Sequence, residues 1–402
     1  MEPVIFHVDV NSAYLSWTSV ENQKTGRGPD LRTIPSIIGG DQKSRHGIVL
    51  AKSIPAKAFG ISTGEPVASA LKKCPSLVIA PPEHRLYRQY SQNLMECLSS
   101  FCPSLEQLSI DECFLDFSES ISEYPGPVEA ATQIKDTVFS RFGFTVNVGI
   151  SSRRVLAKMA SDFKKPNLVH TLYPEEIPKK MWPLPVGELY MAGRSSTNTL
   201  NKLGIYTIGD LARADRALIE SHLKSHGGLL WEYANGIDER PVVTETPEAK
   251  GIGNSTTLSR DVTRREDALP VLKTLSDMVS SRLKKAGQLA GTVTVEIKYS
   301  TFQSFSHQMQ LLSPSNSPEA LYQAACTLFD ALWDGEPIRL LGIRGTRLLK
   351  EGEPVQLNLF DLDFKSYQKD EKHKKLDRAL EKIRRRYGSD SVTTAGQLNK
   401  RK

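Results

Sequence analysis

The chain has 402 residues, 39% of them hydrophobic, which is too long for one ordinary core and apolar enough for three or four modest domains. No apolar run approaches the roughly 18 residues of a membrane span, Met1-Glu2-Pro3-Val4 lacks a signal pattern, and the five cysteines include no C-x-x-C pair. A soluble, cytoplasmic, membrane-free protein with reduced core thiols is therefore expected. The formal net charge is +6, and the segment after Phe364 alone holds 13 Lys and Arg against five Asp and Glu, so the rest is near neutral.

In chain order, the apolar run Val4 to Val10, broken by His7, predicts a central strand buried on both faces whose carboxyl end delivers Asp9. A Gly- and Pro-punctuated insertion between Asn11 and Pro82 reads as a subdomain without a large core. Leu86, Tyr90, Leu94, Leu98 and Phe101 keep helical spacing. The runs Gln107–Ile110 and Cys113–Phe117 then form a hairpin with Asp111 and Glu112 at its tip. A strand from Phe144 to Ile150 feeds a helix from Ser152 through Phe163, ending before Lys165-Pro166. Strands alternating with helices around acidic strand ends predict an α+β catalytic domain.

From Tyr173 to Pro241 the pattern is helical and short-looped, with Leu200 to Leu211 reading as helix, Gly turn, helix. A polar linker, Val243 to Asn254, precedes a helix around Ala268 to Lys285, an alternating strand at Val293, Val295, Ile297 and Tyr299, a helix near Leu321 to Trp333 and a strand around Leu340. The last fifty residues read as a polar tail with one basic amphipathic helix.

Transfer of a phosphoryl or nucleotidyl group needs charge stabilised on attacking and leaving oxygens, which two divalent ions about 3.5 to 4 Å apart supply. Magnesium takes a few carboxylates plus substrate phosphates. One acid at a strand end beside two on a hairpin tip is a minimal cage for it. On spacing alone, acids at turns are more often merely solvated.

The motifs themselves are more specific. His7-Val8-Asp9-Val10-Asn11-Ser12-Ala13-Tyr14, Ser109-Ile110-Asp111-Glu112-Cys113-Phe114, Val148-Gly149-Ile150-Ser151-Ser152 with Leu156-Ala157-Lys158, and Lys165-Pro166-Asn167 follow in an order and spacing that resembles the lesion-tolerant Y family of DNA polymerases. The resemblance covers about residues 4 to 350 and is strongest in the first 170. It implies an α+β multidomain right hand. A ferredoxin-like palm would take 1–13 and 83–172, small fingers 14–82, and a helix-hairpin-helix thumb 173–242. A linker (243–254), an α+β little finger (255–351) and a tail (352–402) would follow.

The resemblance further implies that Asp9, Asp111 and Glu112, with the carbonyl of Val10, hold two Mg2+ ions, and that Tyr14 is a steric gate against ribonucleotides. Ser53, Lys57 and Lys165 would meet the incoming deoxynucleoside triphosphate. Gly193, Arg194, Gly204, Arg260, Arg264, Arg344 and Arg347 would hold primer-template DNA. Gln356, Leu357, Leu359 and Phe360 resemble the peptide that binds the beta subunit of the bacterial sliding clamp, and a monomer is expected. Two departures stand out. Asn11 replaces an acid common in the family, and the finger loop offers Ile54 and Lys57 where family members commonly show Tyr and Arg, so charge remains but bidentate geometry does not. Two rivals remain: a catalytically silent DNA-binding scaffold, and a two-metal cyclase or nuclease with a similar palm. The retained acids argue against the first, the thumb-like and little-finger-like regions against the second.

Overall fold

Six consecutive buried residues form the first strand, β1 (Ile5–Val10), as an uninterrupted apolar run at the centre of a sheet should. The structure, a computed structural model, describes residues 2–40, 47–245 and 248–353. After β1 come α1 (Ala13–Thr25), then β2 (Ser36–Gly39), β3 (Val49–Lys52), α2 (Ile54–Ala58), α3 (Val67–Lys73) and β4 (Val78–Ala80). The last three strands make their own sheet, ordered β3-β2-β4, over a core of eight buried residues that include Ile37, Val49 and Val67. This small sheet is the expected insertion.

The chain continues through α4 (His84–Ser99), β5 (Leu105–Gln107), β6 (Glu112–Asp116), α5 (Pro127–Phe142), β7 (Val146–Ser151), α6 (Arg154–Ser161) and β8 (Val169–Thr171). Strand order is β5-β6-β1-β7-β8, a ferredoxin-like sheet with β1 antiparallel to both neighbours. Phe6, Val8 and Val10 point into a core with Trp17, Tyr87, Leu94 and Phe144. The alternate residues of β1 face α6, which lies unusually close to the sheet. A Cβ at Gly149 of β7 would stand 2.0 Å from the carbonyl oxygen of Ala157 and 2.4 Å from the amide of Ser161, so only glycine permits this approach. The other side of α6 joins a helical core: Val155, Leu156 and Met159 pack with Leu200, Ile208, Leu211, Ile219 and Leu230. That core belongs to α7 (Ile177–Lys180), α8 (Arg194–Lys202), α9 (Ile208–Arg213), α10 (Arg216–Leu223) and α11 (Ser225–Ala234).

Among the described residues, 248–353 form a second compact unit. It contains β9 (Gly251–Val262), α12 (Arg265–Lys285), β10 (Gln288–Tyr299), β11 (Ser304–Ser315), α13 (Pro318–Leu332) and β12 (Ile338–Lys350), with sheet order β11-β10-β12-β9. Val293, Val295 and Ile297 alternate inward against Leu272, Leu275, Val279 and Phe329 of the two helices. Three features depart from the sequence expectation. Glu112, expected at a hairpin tip, is the first residue of β6 and pairs with Asp9. Strand β9 begins at Gly251, inside the stretch read as linker, and β11 was not anticipated at all. Gln356, Leu357, Leu359, Phe360 and the basic tail helix lie outside the described residues.

Candidate active site

Sheet register builds the site. Asp9 stands opposite Glu112 on one side and opposite Asn147 on the other, so all three side chains leave the same face, toward α6. Lys158 on α6 reaches down between them: its Nζ lies 2.6 Å from Glu112 Oε1, 3.4 Å from Asp9 Oδ2 and 3.2 Å from Asp162 Oδ2. Lys165 adds a second cation, 2.9 Å from Asp9 Oδ1 and 2.9 Å from Asp162 Oδ1.

These contacts split the two acids. Burial, then the hydrogen bond shared with Asp9, pushes the Glu112 carboxyl up to about 7. Burial alone would raise Asp9 too, but the bond to Glu112 and the charges of Lys165 and Lys158 outweigh it and hold Asp9 below the usual carboxylate range. Burial would discharge Lys158, yet Asp9, Asp162 and Glu112 together raise its pKa. The face is a nearly neutral knot of alternating charge, which is how buried ions are tolerated.

Two side-chain amides fix the loop that carries Lys165. Asn147 Nδ2 donates to the carbonyls of Ser161 (3.2 Å) and Lys164 (3.0 Å), while its Oδ1 accepts from Asn11 Nδ2 and from the Leu168 amide, each at 3.2 Å. Asn11 Oδ1 accepts from the Thr145 hydroxyl and the Asn167 amide, each at 2.9 Å. An aspartate at position 11 could not donate to Asn147, so the amide suits a bracing role. His7, two residues before Asp9, bonds through Nδ1 to Ser161 Oγ at 2.8 Å and is fully buried.

Beyond this knot opens a cleft of about 650 Å³ whose lining includes Val10, Tyr14, Lys57, Asp111 and Lys165. The Tyr14 ring is held by stacking on Tyr87, centroids 4.4 Å apart and planes within 10°. Ser53 also borders the cleft, but its hydroxyl is fully used: it donates to the Ile34 carbonyl and accepts from the amides of Ser36 and Ala56. Its capacity goes into fixing the loop before α2. Ile54, 65% exposed, lines the same cleft.

Among the described residues no three Asp, Glu, His or Cys side chains gather closely enough to enclose an ion. Asp9 and Glu112 form a pair, whereas Asp111 accepts from the Ser109 hydroxyl at 2.6 Å. The donor chemistry, carboxylate oxygens, suits a hard divalent cation, which would replace Lys158 and Lys165 as the partner of Asp9 and Glu112. Sequence reasoning passed over Lys158, Asn147 and His7 as site residues. Lys158 and Asp162, four apart on a helix, carried the one available signal.

Gly193 begins α8 with no side-chain cap on the first-turn amides, and Gly204 (φ +79°) makes the left-handed turn after that helix. The start of α9 is closed by a reciprocal cap between Thr207 and Asp210. In the second unit Arg264 pairs with Asp267 and Arg265 with Asp330, Arg347 Nη1 reaches the amide oxygen of Gln310, and Arg344 is exposed. Arg260 lies on β9.

Comparison with known proteins fits this geometry. The family model of the impB/mucB/samB family matches residues 8–162, and that of the same family's C-terminal domain matches 249–359. DNA polymerase IV of Clostridium acetobutylicum is 46% identical over 400 residues, covering 100% of this chain and 99% of the relative. DNA polymerase IV 1 of Halalkalibacterium halodurans is 36% identical (98% and 94% covered), and DNA polymerase IV 1 of Bacillus subtilis is 35% identical (99% and 94% covered). A solved Y-family DNA polymerase chimera superposes with a TM-score of 0.75 at 22% identity, covering 86% of this chain and 99% of that one, which shows the fold. The protein is thus a DNA-directed DNA polymerase, a nucleotidyltransferase of the translesion class. Within that class the chain belongs to the Y family, in its DNA polymerase IV branch.

Proposed function

We propose that the chain extends primers by two-metal nucleotidyl transfer in the cleft beside Asp9 and is brought to the primer end by the bacterial sliding clamp. The observation that carries the chemistry is the register pairing of Asp9 with Glu112, with Asp9 bonded to Lys165, which lines a cleft together with Val10, Tyr14 and Asp111. Asp9, Asp111 and Glu112, with the Val10 carbonyl, would hold the two magnesium ions. When bound, those ions stabilise charge on the attacking and leaving oxygens of the phosphoryl group.

The chain's own residues do the rest. Tyr14, braced by Tyr87, fills the volume a 2′-hydroxyl would need and so selects deoxyribonucleotides. Lys165, held by Asn11 and Asn147 through its loop, meets the triphosphate as a point charge. Gly193 and Arg194 offer uncapped amides and a cation to a DNA phosphate without reading sequence. Arg260, Arg344 and Arg347 add phosphate contacts in the C-terminal unit, the little finger of the right hand. Arg264 is engaged by Asp267 and contributes less. The palm, fingers, thumb and little finger follow the ranges given above, the last beginning at β9.

A short finger sheet with a core of eight residues presses lightly on a nascent base pair, which suits low fidelity, damaged templates and early dissociation. Tethering answers early dissociation by raising effective concentration at the primer end. The sequence Gln356-Leu357-Asn358-Leu359-Phe360 supports the clamp as partner, with apolar anchors for a groove and an amide for register. The test is extension of a primed template with magnesium and deoxynucleotides, with and without clamp. Alanine at Leu359 and Phe360 together should abolish clamp stimulation and leave clamp-free extension intact. Equal loss without clamp would make the segment a structural element; persisting stimulation would put the contact elsewhere.

A further inference from the structure

The basic residues around the cleft are not alike. Arg32 is paired with Asp30, and Lys165 with Asp9 and Asp162. Lys52 and Lys57 both border the cleft, yet among the described residues neither has an ion pair. The acid whose field reaches Lys52, Glu65, is already bound to Lys73 and to the Ser62 amide. Lys52 ends β3, opposite Ile37, and is half-buried, while Lys57 lies on α2 and is exposed. Two like charges side by side, one partly desolvated and neither answered by a carboxylate, are costly alone and favourable once an anion arrives. Burial first, and the Lys57 charge second, lower the Lys52 pKa, as expected of a cation lacking a counter-ion.

The backbone fixes this placement. Ser53, with its hydroxyl bonded at 2.8 to 3.1 Å to Ile34, Ser36 and Ala56, locks the turn joining β3 to α2. Lys52 therefore leaves a rigid strand end, and only its side chain must order on binding. We infer that Lys52 is a substrate-binding residue of this polymerase, forming with Lys57 a two-lysine cradle for the triphosphate tail of the incoming nucleotide. Neither lysine has guanidinium fork geometry, so two point charges divide what one bidentate group would otherwise hold. The inference rests on the reading of this cleft as the nucleotide site.

The test uses the full-length protein on primer-template DNA, with steady-state kinetics and with inorganic tripolyphosphate as a competitor that has a phosphate chain but no base or sugar. Lys52→Ala should raise KM for deoxynucleoside triphosphates about tenfold, the size of one lost charge-assisted contact, with a smaller fall in kcat. The inhibition constant of tripolyphosphate should rise by about the same factor, and Lys52→Arg should recover most of both. A merely structural lysine would not shift tripolyphosphate inhibition selectively. Unchanged KM and inhibition in Lys52→Ala, or equal losses in the Ala and Arg variants with a lowered Tm, overturn the assignment. Tyr14→Ala, assayed for deoxyribonucleotide over ribonucleotide preference, separates the two failures. If that preference falls while Lys52→Ala does nothing, only the cradle is wrong. If neither variant has an effect, the cleft is not the nucleotide site.

Discussion

The five-stranded sheet of the first unit and the four-stranded sheet of the second use charge in opposite ways. In the first, β1 and β7 are buried on both faces, and ionic groups enter only where α6 meets the strand ends. Lys158 and Lys165 there each have carboxylate partners, Asp9, Glu112 and Asn147 are placed by register, and Asn147 and Asn11 brace the loop that carries Lys165. In the second, helices cover one face while the other keeps Thr294, Glu296, Ser306, Gly342 and Arg344 around an open groove of about 550 Å³. The first arrangement fixes its side chains by register, ion pairs and amide hydrogen bonds, as chemistry needs. The second gives a broad polar surface, enough for holding a polyanion.

If that contrast is right, damage to the first sheet should remove turnover and spare DNA affinity. The largest effect is expected for Glu112→Gln, which keeps the shape and a hydrogen bond toward Lys158 but lacks the charge. Extension should fall by about 10²- to 10³-fold or more, while primer-template affinity by fluorescence anisotropy stays near the wild-type value. Near-normal extension would remove Glu112 from the catalytic set.

The same sheet should also make stability depend on pH through His7. Burial, then the charge of Lys158, keeps the imidazole pKa well below 6.5, although Asp9 opposes the shift, and Nε2 has no partner among the described residues. Between the folded pKa and 6.5 the unfolded chain binds the extra proton and the folded chain does not. The His7 contribution is therefore full above pH 6.5 and falls as pH drops below it, by up to about 1.4 kcal/mol per pH unit, while Glu112, raised to about 7, contributes in the opposite sense over an overlapping window. Urea denaturation of wild type and His7→Gln isolates the His7 contribution: the stability of wild type minus that of the variant should be smaller at pH 5.5 than at pH 7.5. An equal difference at both pH values would leave His7 without a role in acid sensitivity.

How much of this was legible followed from the same contrast. β1 announced itself by a continuous apolar run, and β10 by the alternation of Val293, Val295 and Ile297. Residues with a motif around them, such as Asp9, Tyr14 and Lys165, could be named in advance. β11 was missed: Ser304–Ser315 is an edge strand with mostly exposed side chains, and its alternation is short, with Met309 and Leu311 half-buried against the core while Phe305 and Leu312 are exposed. Asn147, His7 and Lys52 were hidden for another reason. Asn147 and His7 act through register with Asp9 and contact with α6, and Lys52 through the absence of a carboxylate. Only three-dimensional structure displays such relations.

The smallest predicted effect lies on the second sheet and concerns Arg344. On β12 it stands opposite Thr294 and Gly253, and Gly253 and Gly251 matter because a Cβ at either would come within 2.9 Å of the Arg344 side chain. The glycines thus clear room for the arginine stem on the open face. Arg264 differs, since Asp267 takes its guanidinium at 3.0 Å. A cation without an acid partner releases a counter-ion when it meets a phosphate, whereas a paired one must first break its bridge. Arg344→Ala should therefore weaken primer-template binding a few-fold and reduce the slope of log K against log salt by about 0.9. Arg264→Ala should change the slope much less, and neither should alter the rate of nucleotide addition on DNA already bound. Equal slopes for wild type and Arg344→Ala would mean that the open face does not meet phosphate. A fall in the addition rate would mean that the two sheets do not divide holding from chemistry.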